Sequence, residues 1–115
     1  VEGFDREIRF AEKSWGSYKV IDIEKEALTI KVTLRPGHSM NYHCHQYRDE
    51  VWVVIDGTGT TVVDNCYRPI KSGDVVTMKV GQKHTVIAET ELKLIEVQLG
   101  KSISAFDKHK FELGT

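Results

Sequence analysis

Residues 37–57 read Gly37-His38-Ser39-Met40-Asn41-Tyr42-His43-Cys44-His45-Gln46-Tyr47-Arg48-Asp49-Glu50-Val51-Trp52-Val53-Val54-Ile55-Asp56-Gly57. On an extended strand successive side chains alternate faces, so His43 and His45 point one way and Cys44 the other. Two imidazoles one strand repeat apart can share a metal ion. Glu50 opens the apolar run 51–55, from which a neighbouring strand can bring a carboxylate to the same point. Asp56-Gly57-Thr58-Gly59 predicts a hairpin turn, because Asp and Gly tolerate the positive φ such turns require. Ser72-Gly73-Asp74 repeats that punctuation.

The same texture extends in both directions. Leu28, Ile30, Val32 and Leu34 alternate with Thr29, Lys31, Thr33 and Arg35, the period of a half-buried strand. The 9 glycines fall between short runs rich in Val, Ile, Thr and Tyr, and only 2 prolines interrupt them. Strands are predicted over 17–23, 28–34, 39–45, 50–55, 60–63, 67–70, 74–78, 83–88 and 92–99. No amphipathic stretch reaches the length of a helix, so the pattern predicts an all-β sandwich or barrel. A short helical turn is expected only near the C-terminus, over 104–111.

The chain of 115 residues, 40% hydrophobic and 29% charged, predicts a single domain with a real core. Lys+Arg 16 against Asp+Glu 17 leaves a formal charge of -1, so no basic field exists to hold nucleic acid or an anionic membrane. The longest apolar run, 51–55, is far short of the roughly 18 residues of a spanning helix, and a soluble cytoplasmic protein is expected. Cys44 and Cys66 are then expected as reduced thiols. The charged opening, residues 1–14, reads as an N-terminal extension to a domain over 15–113.

His84, in a later predicted strand after Gly81-Gln82-Lys83, adds a third imidazole. His43, His45, Glu50 and His84 together make a mixed nitrogen and oxygen donor set with room for water or substrate. Such a set suits a divalent transition metal: zinc is the expected ion, and Mn, Fe, Co or Ni also fit. A lone buried histidine is as readily a hydrogen-bonded core residue, so the weight rests on the combination. Cys44, facing away, reads as structural, and His38 and His109 as ordinary exposed residues.

These residues resemble the two-motif signature of the cupin superfamily. Gly37, His43, His45, Glu50 and Gly57 stand at the fixed positions of the first motif, and Gly73, Gly81 and His84 at positions of the second. Lys79 replaces a proline there and Ala88 an asparagine. The resemblance implies a small double-stranded β-helix, or jelly-roll barrel. Trp15-Gly16-Ser17-Tyr18, Arg35-Pro36-Gly37, Lys83-His84 and Leu94-Ile95-Glu96-Val97-Gln98 narrow it to the cupin-type, or type II, mannose-6-phosphate isomerases. That family forms the carboxyl-terminal part of bifunctional mannose-1-phosphate guanylyltransferase/mannose-6-phosphate isomerases. Lys13-Ser14, Asn41 and Val51 depart from its usual residues. Gly100-Lys101-Ser102 mimics the end of a phosphate-binding loop, but Ile95 stands where that loop needs its earlier glycine.

The resemblance implies metal-dependent interconversion of mannose 6-phosphate and fructose 6-phosphate. Such an isomerase needs a base, and Glu96 is the candidate: a carboxylate amid the predicted strand 92–99 is costly to bury without a purpose. A phosphosugar also needs cations. Arg48 and Lys31 are the first candidates, with Arg35, Lys83 and Lys13 behind them. The same fold hosts other chemistries, so a non-catalytic sugar- or effector-binding cupin and an iron-dependent dioxygenase stand as alternatives. Pairing through exposed strands predicts a homodimer.

Overall fold

Leu28, Ile30, Val32 and Leu34 are all buried, and the residues between them are half-buried. In the computed structural model, which describes residues 10–113, they lie on strand β3 (Ala27–Leu34). The other strands are β1 (Phe10–Lys13), β2 (Gly16–Ile23), β4 (Tyr42–Cys44), β5 (Asp49–Asp56), β6 (Thr58–Val63), β7 (Cys66–Lys71), β8 (Val75–Met78), β9 (His84–Ala88), β10 (Leu92–Leu99) and β11 (His109–Phe111). They form two antiparallel sheets, ordered β1-β2-β3-β10-β5-β8 and β11-β4-β9-β6-β7. Each sheet turns its apolar face inward, and Trp52, Leu28, Leu34, Leu94, Val54 and Val86 meet in one core. No helix of the described residues is long and apolar enough to cross a membrane.

The predicted hairpin at Asp56-Gly57-Thr58-Gly59 is instead a crossing point. β5 pairs with β10 and β8 in the first sheet, whereas β6 pairs with β7 and β9 in the second. Gly57 makes the switch at φ +90, where an added Cβ would lie 2.1 Å from the Glu91 carbonyl oxygen. The tight hairpin lies one strand later. Asp64 and Asn65, at φ 48 and 63, link β6 to β7 between the paired Val63 and Cys66. Two successive left-handed residues are the geometry whose twist matches that of the flanking strands.

The predicted helical turn over 104–111 does not form. One turn, closed by the Asp107 N–H on the Ser104 carbonyl, is followed by β11, which pairs with β4. The Asp107 carboxylate accepts the N–H groups of Gln46 (3.0 Å) and Tyr47 (2.9 Å), and this draws the chain across the end of β4 as a strap. Long-range anchoring thus replaces the local i to i+4 bonds of a helix.

Two predicted boundaries also shift. Ser39 makes only an isolated bridge to Ile87, so β4 is shorter than expected and His45 lies just beyond it. Within the predicted extension, residues 1–9 fall outside the described residues, while Phe10–Lys13 pairs with β2 as an edge strand.

Candidate metal centre

β4 and β9 bring His43 and His84 directly opposite each other. His45 follows on the same side, and Glu50 reaches the point from β5 in the other sheet. One ligand atom from each of the four lies within 4.8 Å of the others, and none of the four is more than 5% exposed.

The second ring nitrogens fix the chemistry of this cluster. Nδ1 of His43 donates to the Asn41 carbonyl, that of His45 to the Asp107 carbonyl, and that of His84 to the Gln82 carbonyl. Carbonyl oxygens only accept, so each Nδ1 carries its proton and a neutral ring keeps its Nε2 lone pair free. Nε2 of His45 and His84 lie 3.1 Å and 3.3 Å from the Glu50 oxygens. His84 Nε2 and Glu50 Oε1 have no hydrogen-bond partner although both are buried. Lone pairs facing lone pairs in a low-dielectric interior are unfavourable without a cation between them. The donor set therefore fits a divalent transition metal.

Burial, followed by the neighbouring His84, pushes the His43 pKa down to about 2, which keeps that ring neutral. Burial by itself would raise the Glu50 carboxyl. The polar and charged groups around it, Arg48 among them, outweigh it and hold Glu50 well below the ordinary carboxylate range.

Arg48 supports the cluster from the side. Its Nε donates to Glu50 Oε2 at 2.8 Å and one terminal nitrogen to the Ser104 carbonyl at 2.7 Å, while the other lies 3.3 Å from His45 Nε2. A guanidinium engaged in this way positions a ligand and ties down the C-terminal strap. The second-motif turn is tied in as well: the Gly81 N–H donates to the His45 carbonyl. Lys79, in place of a proline, uses its N–H to bond the Gln82 side chain.

Glu96 lies on β10, between β3 and β5 in the six-stranded sheet. Its Oε1 accepts the Trp52 indole N–H at 2.6 Å, and its Oε2 accepts the Gln98 amide at 2.7 Å. Burial first, then the charge of Glu50, raises its pKa against those two donors. His43, His45, Glu50, Arg48, Glu96 and Gln98 all border one cavity of about 380 Å³.

Two of the predicted substrate cations lie elsewhere. Lys31 alternates with Ile30 and Val32, which line the cavity, and so stands on the opposite face of the sheet. Lys83 carries its ammonium 4.4 Å over the Phe111 ring. Lys13 does line the cavity, and it is joined by Lys108 and Lys110, which the sequence reading missed. Their signal was the period-2 spacing of Lys108 and Lys110, hidden by the expectation of a helical turn. His38 and His109 are exposed; Cys44 is buried, Cys66 is exposed, and both thiols are free.

Two antiparallel sheets that together supply a three-His, one-Glu cluster define a cupin. The family profile described as Mannose-6-phosphate isomerase C-terminal matches residues 6–113, and the chain belongs to that family. It is 26% identical over 102 residues to the mannose-1-phosphate guanylyltransferase ManC of Salmonella typhimurium, covering 87% of this chain and 21% of that protein. The alginate biosynthesis protein AlgA of Pseudomonas putida matches at 26% identity with the same coverages. The chain thus spans about one fifth of these curated relatives.

Among solved structures, a double-stranded β-helix protein from Klebsiella pneumoniae superposes with a TM-score of 0.72 at 20% identity, over 82% of each chain. An oxalate decarboxylase of Bacillus subtilis gives 0.79 at 17% identity, over 89% of this chain and 30% of that one. These likenesses concern the fold.

Proposed function

We propose that this domain is a metal-dependent aldose–ketose isomerase acting on a phosphosugar, with mannose 6-phosphate and fructose 6-phosphate as the pair. One observation carries the reading: a metal-ligand cluster and a separate buried carboxylate, Glu96, border the same cavity. Family membership supports it.

A divalent ion held by His43, His45, Glu50 and His84 would supply Lewis-acid stabilisation for the oxyanion that develops at the sugar oxygens. Glu96 takes the C2 proton of the open-chain aldose; the electron pair of that C–H bond forms the C1–C2 double bond, the carbonyl pair moves to O1, and the O2 hydroxyl proton passes to O1. The same carboxylic acid returns the proton to C1, giving the ketose. Its raised pKa suits a group that must both accept and donate. Trp52 and Gln98 each donate to one of the carboxylate oxygens and so hold its orientation. The burial of the cluster limits water around the enediol.

Coupled turnover of mannose 6-phosphate, measured on the metal-analysed chain before chelation, after it and after readdition of divalent ions, tests the reading. Metal-restored isomerisation supports it. A metal-loaded but inactive protein would shift the assignment to a sugar- or effector-binding cupin, and oxygen consumption to a dioxygenase. A homodimer belongs to the same proposal, and light scattering checks it.

A further inference from the structure

The strap that replaces the predicted helical turn brings cations to the cavity. Lys110 pairs directly across from His43 in β11 and β4, and cross-strand partners project from the same face of a sheet. Lys108, two residues earlier, shares that side. Lys13 arrives from the edge strand β1, and all three residues line the cavity that holds the cluster.

No ion pair joins any of the three to an acidic side chain among the described residues, and the nearest described aromatic contact of Lys13 is the Tyr18 ring, 6.0 Å away. The group is crowded as well. Burial first, then the charges of Lys110 and Lys13, depresses the Lys108 ammonium. Three like charges around one half-enclosed space work against folding. Nearby Glu50 is already engaged by Arg48 and the histidines, and Glu96 by Trp52 and Gln98. The charges of Glu96 and Glu50 offset part of that repulsion at Lys108, and an anionic ligand among the three ammonium groups would relieve the rest.

We infer that Lys13, Lys108 and Lys110 form an anion subsite in this cavity, which takes the phosphate of a phosphorylated polyol whose other end faces the His/Glu cluster. The inference rests on the isomerase reading for the identity of the ligand. It moves the phosphate contacts away from Arg48, whose guanidinium is engaged, and from Lys31 and Lys83, which lie off the cavity.

The test is titration calorimetry of inorganic phosphate into the chelated chain, so that phosphate cannot simply ligate a metal. The wild type is expected to bind. The variant Lys13→Gln/Lys108→Gln/Lys110→Gln is expected to lose at least about tenfold in affinity, since charge-assisted hydrogen bonds are being removed. Lys110→Gln alone, at an exposed position, should show a smaller loss with the fold intact. Lys31→Gln, which removes the same charge from the opposite face, should change nothing, and neutral mannose should bind all variants alike. Phosphate affinity unaltered in both the triple and the Lys110 variants, or no binding by the chelated wild type, overturns the subsite. Phosphate binding that behaves as expected beside absent isomerase turnover overturns the isomerase reading and leaves the subsite standing. Turnover with an unchanged KM in the triple variant does the reverse.

Discussion

The Trp52 indole N–H donates to Glu96 Oε1 across 2.6 Å, from a position directly opposite Glu96 in the pairing of β5 with β10. The indole is fully buried, and so are both carboxylate oxygens' partners. The pair thereby fixes which way the carboxylate faces. Trp52→Phe keeps an aromatic ring and deletes the donor. Glu96 then loses one of the two hydrogen bonds that restrain its upward shift, so the acidic limb of kcat/KM against pH should move to higher pH. Metal stoichiometry should be unchanged, and stability should fall by about 1–3 kcal/mol from the lost bond and the smaller ring. An acidic limb that stays in place would detach Glu96 from the reaction.

Glu96→Gln separates catalysis from metal binding. Turnover should disappear while metal content stays at the wild-type level. Stability carries a sign as well. A carboxyl whose folded pKa is raised contributes stability that is fully present below its unfolded value, near 4.5, and lost as pH rises through the folded value. The Gln variant has no such loss. Its advantage over the wild type should therefore grow with pH above about 4.5 and vanish below it. Urea denaturation across that range measures this, and a difference independent of pH would show that burial does not raise the group.

Arg48→Met preserves much of the side-chain length and removes the guanidinium that holds Glu50 Oε2 and the Ser104 carbonyl. Losing a partner that orients a metal ligand typically costs about 10–100-fold in metal affinity. That loss should be read by competition with a chromogenic chelator. If Arg48 instead held the phosphate, metal affinity would stay and KM alone would rise.

His84→Ala removes the imidazole that faces His43 across β4 and β9. Zinc bound per chain should drop well below that of the wild type in equilibrium dialysis. Unchanged stoichiometry would take His84 out of the ligand set.

Much of the fold was legible because it rests on local rules. Alternation at residues 28–34 identified a strand that proved to neighbour the predicted strand 92–99, and the side-chain period placed His43 and His45 on one side with Cys44 on the other. The misreadings share one cause. Gly57 carries the positive φ expected of a hairpin, but whether its strands pair or part depends on the sheets beyond them. The segment 104–111 has no pattern of its own that rules out a turn of helix, and its course is set by Asp107 gripping the backbone of Gln46 and Tyr47, some sixty residues away.

By itself, then, the sequence determined the all-β class and pointed to His43, His45 and Glu50, since strand period and residue spacing are properties of a short stretch of chain, while the pairing of β4 with β9 brings His84 to the same cluster. Which carboxylate and which cations share a cavity with that set was decided only by the tertiary structure. The register of β10 against β5 sets Glu96 beside Trp52, the opposite face of β3 takes Lys31 away, and the strap delivers Lys108 and Lys110. The physical reason is that a charged side chain gains its role from what surrounds it, and those surroundings are assembled by contacts between residues far apart in the chain.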